Sequence, residues 1–109
     1  MKAAVVGSRS ISNLDLSQYL PSEVTCIVTG GAKGVDSIAA EYAREKGLEL
    51  QEFLPDYQRY GRGAPLKRNE LIIAACDLVF AFWDGVSHGT KFTIEKARKA
   101  GKQVKVFSI

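Results

Sequence analysis

Four short clusters hold the residues that could do chemistry: Gly7-Ser8-Arg9-Ser10, Gly30-Gly31-Ala32-Lys33-Gly34-Val35-Asp36, Arg68-Asn69, and Asp84-Gly85-Val86-Ser87-His88-Gly89-Thr90. Glycine, small hydroxyl and arginine or lysine side chains are what an anion site is made of. Glycines let the backbone approach a ligand, and a helix that starts just after them aims free N–H groups and the positive end of its dipole at the turn. The second cluster fits that description, because Val35, Ile38, Ala39, Tyr42 and Ala43 follow it at helical spacing. A phosphate would be held between the Gly30–Gly34 turn and the Ser87–Thr90 turn, or the glycines serve packing alone. The spacing matches neither dinucleotide-binding nor triphosphatase fingerprints, and Lys33 has no Ser or Thr after it to hold magnesium.

Each charged or polar candidate has a competing reading. Arg9 and Arg68 sit at strand ends, where a planar guanidinium can grip a phosphate or carboxylate with two N–H groups. Asp36 lies in the first turn of its helix, so it either offsets the dipole or binds a ribose hydroxyl, and Asp84 carries the same ambiguity. Gly89 and Thr90 open the last helix, with Ser87 and Lys91 as further donors, or Thr90 is a simple N-cap. His88 is the chain's one histidine, so it makes no metal site; it donates to an anion or faces solvent. Tyr57, Tyr60 and Trp83 could stack a base, with Trp83 read as core and the tyrosines as part of a lid over Asp56–Gly63. Lys96, Arg98, Lys99 and Lys102 read as a solvated face near a helix end.

The elements that must position these clusters follow from periodicity. Ala3–Val6 is a short strand, and Asn13–Leu20 carries Leu16, Tyr19 and Leu20 at helical spacing before Pro21. Val24–Val28 is a strand, the helix after it ends at Gly47, and Leu48–Leu54 alternates as an edge strand. A helix over Ala64–Ala75 places Leu71, Ile72 and Ala75 on the face that also carries Arg68. The run Leu78–Trp83 is a central strand covered on both sides. A helix over Lys91–Ala100 and a strand over Val104–Ile109 complete the chain. Five strands with helical crossovers give a three-layer α/β fold, an open parallel sheet of five strands with the order 3-2-1-4-5. In that order the ligand crevice opens between the Gly7 and Asp84 loops.

The chain has 109 residues, 46% hydrophobic and 25% charged, with a net charge of +3. That is one domain over 1–109, with a mild basic bias suited to a polyanion. No apolar run approaches the roughly 20 residues of a membrane span, so the chain is expected to be cytoplasmic. Cys26 and Cys76 are far apart with no ligand residues beside them, and are read as core thiols.

In their order and at these element boundaries, the four clusters resemble the small stand-alone members of the SLOG superfamily, named after the DNA-processing protein Smf and the LONELY GUY enzymes. The resemblance spans nearly the whole chain and implies a Rossmann-like fold that binds a nucleotide or nucleotide derivative, as a sensor or carrier, with no cofactor and no metal. LONELY GUY-like phosphoribohydrolases carry a Glu three residues after the Thr of the last cluster. Here that position is Thr93, and Glu95 is rotated from it by about 200° around the helix. Hydrolysis would then fall to Asp36 or Asp84 with Arg68 orienting the substrate. Single-stranded nucleic acid is the other reading, on Arg59, Arg62, Lys67 and Arg68 with Tyr57 and Tyr60 as stacking platforms. A homodimer is left open, and no membrane partner is implied.

Overall fold

The computed structural model describes residues 1–109. Five strands, β1 (Lys2–Gly7), β2 (Cys26–Thr29), β3 (Glu49–Glu52), β4 (Leu78–Trp83) and β5 (Gln103–Ser108), form one sheet in the order β3-β2-β1-β4-β5. Every pairing is parallel. This is the expected doubly wound, Rossmann-like α/β fold, with β3 at an edge as its alternation predicted.

Alternate residues of a strand face opposite sides, and the apolar strands exploit this to build a core on each face. Ala3, Val5, Ile27, Phe80 and Phe82 pack against Val35, Ala39 and Ala43 of helix α1 (Val35–Lys46) and against Leu16 and Leu20. On the other face Ala4, Val6, Cys26, Val28, Val79 and Ala81 meet Ile72 and Ile73 of α3 (Ala64–Ala75) and Ile94 and Ala97 of α4 (His88–Lys99). Both cysteines are buried free thiols. No helix is long and apolar enough to cross a membrane.

Four expectations need correction. The crossover from β1 to β2 is not a helix of one and a half turns; only Leu16–Gln18 closes into a 3-10 turn. The Asp15 carboxylate accepts from both the Ser17 N–H and its hydroxyl, a local bond that competes with helix propagation. Asp56–Gly63 is not irregular: Tyr57–Tyr60 forms a one-turn helix, α2, capped by Asp56 accepting from the Arg59 N–H, and Gly61–Gly63 adds a 3-10 turn. In α3 the packed face keeps Arg68 and Ile72 but takes in Ile73 while Leu71 is exposed, so it is turned from the Leu71 side toward Ile73. Finally, α4 begins at His88 instead of Lys91, because glycine in a first turn is tolerated where the N–H groups need no partner anyway.

Candidate functional site

At the carboxyl ends of β1 and β4, on either side of the point where strand order reverses, lies a cleft of about 440 Å³. The β1 exit loop contributes Gly7, Ser8, Arg9 and Ser10, the turn before α1 contributes Ala32 and Asp36, and α3 contributes Arg68 and Asn69. Asp84, Ser87, Gly89 and Thr90 close it from the β4 side. A smaller hollow of about 310 Å³ adjoins it, lined by Gly30, Gly31, Lys33, Pro55 and Tyr57, and shares Arg9, Ala32 and Arg68 with the cleft.

The sequence candidates therefore divide. Gly30, Gly31 and Lys33 face the smaller hollow and not the main cleft, while Gly34, Gly85 and His88 line neither. Gly34 is a packing residue: a Cβ there would lie 2.6 Å from Ser8 O. His88 is the exposed first residue of α4. Val6, Ser10, Pro65, Leu66, Ile72 and Thr93 also line the cleft. Of these, Ser10 belongs to the first sequence cluster and Thr93 stands where LONELY GUY-like enzymes carry Glu, whereas nothing in the spacing marks Pro65 or Leu66.

Arg68 is 7% exposed, held where α3 begins its second turn by bonds from Nη1 to the Gly30 carbonyl and from Nε to Asn69 Oδ1 at 2.8 Å. It has no carboxylate within ion-pair distance, since the chain's two salt bridges are Arg44–Glu52 and Lys67–Glu70. Burial lowers its pKa, and the Asp36 charge opposes that shift. An arginine stays charged under such a shift, so the cleft holds a buried cation with unused N–H groups.

Asp36 is 7% exposed and accepts the Ala32 N–H at 3.1 Å. Burial raises its pKa, with the Ala32 N–H and Arg68 pulling the other way. An acid whose folded pKa lies above its unfolded value costs stability when ionised. The cost is complete above the folded pKa and vanishes as pH falls through it toward the unfolded value near 3.8. Asp36→Asn is accordingly expected to be at least as stable as the parent at pH 8, with the advantage shrinking as pH falls toward 4 in urea titrations. A pH-independent difference would show that Asp36 is not a desolvated carboxylate.

Asp84 is occupied differently. Its carboxylate accepts the Val86 and Ser87 N–H groups, both at 2.9 Å, and the Ser10 and Ser87 hydroxyls, both at 3.0 Å. These backbone donors hold its pKa well below the usual carboxylate range. Buried Ser8 joins the network, accepting the Asp84 N–H at 3.1 Å and lying 2.9 Å from the Ser87 hydroxyl. Asp84 thus ties the β1 and β4 loops together.

That network leaves α4 uncapped. Ser87 occupies the N-cap position, but its hydroxyl is turned to Asp84 and Ser8, and no side chain caps the helix. The first intrahelical bond is from the Lys91 N–H to Ser87 O, so the His88, Gly89 and Thr90 amides precede the ladder. Thr90 is the third residue of the helix and buried, which corrects its reading as a cap. Thr93 sends its hydroxyl to Gly89 O at 3.0 Å, so no carboxylate occupies that stretch of the cleft wall, and Glu95 is exposed. Trp83 is half-buried, its indole N–H donating to Ser87 O at 3.0 Å. The Tyr60 ring is flanked by Arg59 and Lys67, at 5.4 and 5.7 Å from its centroid, while Tyr57 is exposed.

Comparison with known proteins gives the fold a family. The YAcAr model, described as the YspA, cpYpsA-related SLOG family, matches residues 4–60, which carry the β1 exit loop and the glycine turn before α1. Among curated proteins, the Gene 61 protein of Mycobacterium phage D29 is 37% identical over 81 residues, covering 69% of this chain and 65% of that protein. The chain thus spans just under two thirds of that relative's length. No solved structure matches. With the family model covering more than half of the sequence, the chain belongs to the YspA, cpYpsA-related SLOG family.

Proposed function

We propose that residues 1–109 form one unit that binds a nucleotide or nucleotide derivative in the cleft between the β1 and β4 loops, as a sensor or carrier. The observation that carries this reading is Arg68, a buried cation without an ion-pair partner, sharing one cleft with the uncapped N-terminus of a 12-residue helix. A phosphate would satisfy both, through the guanidinium fork and the Gly89 and Thr90 amides, with Arg9 adding charge. Asp36 would take a ribose hydroxyl, since like charge keeps it off the phosphate. Ser8, Ser10 and Asp84 would hold the two loops in register. Membership of the SLOG family supports the same reading.

The test is thermal unfolding with the four ribonucleoside 5′-monophosphates, their diphosphates and cyclic nucleotides at millimolar concentration. A ligand at about 100 times its Kd contributes about 2.7 kcal/mol, which for a domain of this size raises Tm by on the order of 10 °C. No shift with any of them overturns the reading. Chromatography of the same samples after a day distinguishes binding from cleavage: intact nucleotide is the expected result, and free base with ribose phosphate would make the cleft hydrolytic.

A further inference from the structure

The main cleft is electrically mixed, with Arg9 and Arg68 set against Asp36 and Asp84, whereas the charged residues that line the smaller hollow beside it are all cations. Arg9, Lys33 and Arg68 line that hollow, and the one carboxylate at its edge, Glu52 beside Gly31, is paired with Arg44 at 3.8 Å. The Lys33 ammonium and the Arg9 guanidinium are exposed and form no ion pair within the chain. Lys33 is held on a tight turn by its flanking glycines, Gly31 at φ 71° and Gly34 at φ 76°. Because Arg9 and Arg68 belong to both spaces, an anion bound at them in the cleft lies next to the hollow, and a second anionic group on the same ligand would meet Lys33 there.

We infer that the Lys33 hollow is a second phosphate subsite, so that the ligand carries a second phosphoryl group, with Arg9 and Arg68 bridging the two. This rests on the nucleotide reading of the main cleft. Three cations line one hollow with a single carboxylate at its edge, a balance that favours an anion more than that of the cleft, where Asp36 and Asp84 oppose it. Charge-assisted bonds from a lysine to phosphate favour the doubly phosphorylated ligand by about tenfold or more. Gly30, Gly31, Ala32, Pro55 and Tyr57 complete its lining.

Two chemical arrangements deliver the second group: a phosphoanhydride chain at the 5′ position, or a separate phosphate on the ribose 3′ oxygen. Calorimetric titration of the full chain with adenosine, guanosine, cytidine and uridine 5′-monophosphates, 5′-diphosphates and 3′,5′-bisphosphates separates them. At least one of the latter two classes is expected to bind about tenfold or more tightly than the monophosphate of the same base, and which class does so identifies the arrangement. In Lys33→Ala that ratio falls to about one, while in Arg98→Ala, which removes an exposed cation outside both spaces, it stays as in the parent. Monophosphate binding with no gain from either second phosphate, or a gain that survives Lys33→Ala, overturns the subsite and leaves the main cleft intact. Failure of every nucleotide to bind overturns both readings.

Discussion

Arg68→Ala is expected to lose nucleotide stabilisation altogether and to lower the unfolding free energy by about 2 kcal/mol. Removing the guanidinium leaves the buried Gly30 carbonyl without its donor, which costs roughly 1–3 kcal/mol, and empties the space filled by the side chain's stem. An opposing gain comes from no longer burying a cation without an ion-pair partner, which keeps the net loss modest. Binding has no such offset, because Arg68 faces both the cleft and the hollow. Arg68→Lys separates charge from geometry: a point charge keeps general attraction but cannot hold Gly30 O and a phosphate with one planar fork. The expected order in calorimetry is parent, then Lys, then Ala, with urea m-values unchanged across the three. Wild-type binding by the alanine variant would remove Arg68 from the site.

The sheet was legible because its signals are local and repeated. An unbroken apolar run of six residues such as Leu78–Trp83, rich in aromatics and bounded by Asp77 and Asp84-Gly85, fits a strand covered on both faces, and helical crossovers of one hand leave few strand orders. The carboxyl-end loops then had to meet at one edge, so Ser8, Arg9, Asp36, Arg68, Asp84 and Thr90 fell together as expected. What was illegible depends on neighbours far away in sequence. Gly30 and Gly34 looked alike as ligand-facing glycines, yet Gly30 is bare because the Arg68 guanidinium lies against it, and Gly34 because the Ser8–Arg9 backbone does. Asp36 and Asp84 were equally ambiguous, and only the fold shows one desolvated and the other saturated with donors. Helix α2 was missed because four residues are too few to display a period, although Asp56 before it was a readable cap.

Gly34→Ala is expected to be strongly destabilising, costing about 4 kcal/mol of a total that for such domains is roughly 5–15 kcal/mol. Gly34 stands at φ 76°, ψ −126°, a conformation that strains an L-residue by roughly 1–3 kcal/mol. Its new methyl would also sit 2.6 Å from Ser8 O and 2.8 Å from both Arg9 Cα and Arg9 O. Those are backbone atoms, which cannot rotate aside as a flexible side chain would, so the β1 exit loop itself must move, an overpacking cost of about 1–3 kcal/mol. Gly47 supplies the control. It lies at φ 68° in the left-handed region, and a methyl added there would meet nothing within 4 Å, so Gly47→Ala incurs only the dihedral penalty, about 1 kcal/mol. The difference between the two variants in urea denaturation therefore reports the contact between the α1 N-terminus and the β1 loop together with the extra strain of the Gly34 dihedrals. Equal destabilisation would mean that the loop yields freely. A large difference, accompanied by weakened nucleotide binding in Gly34→Ala, would mean that this glycine sets the position of Arg9 without touching the ligand.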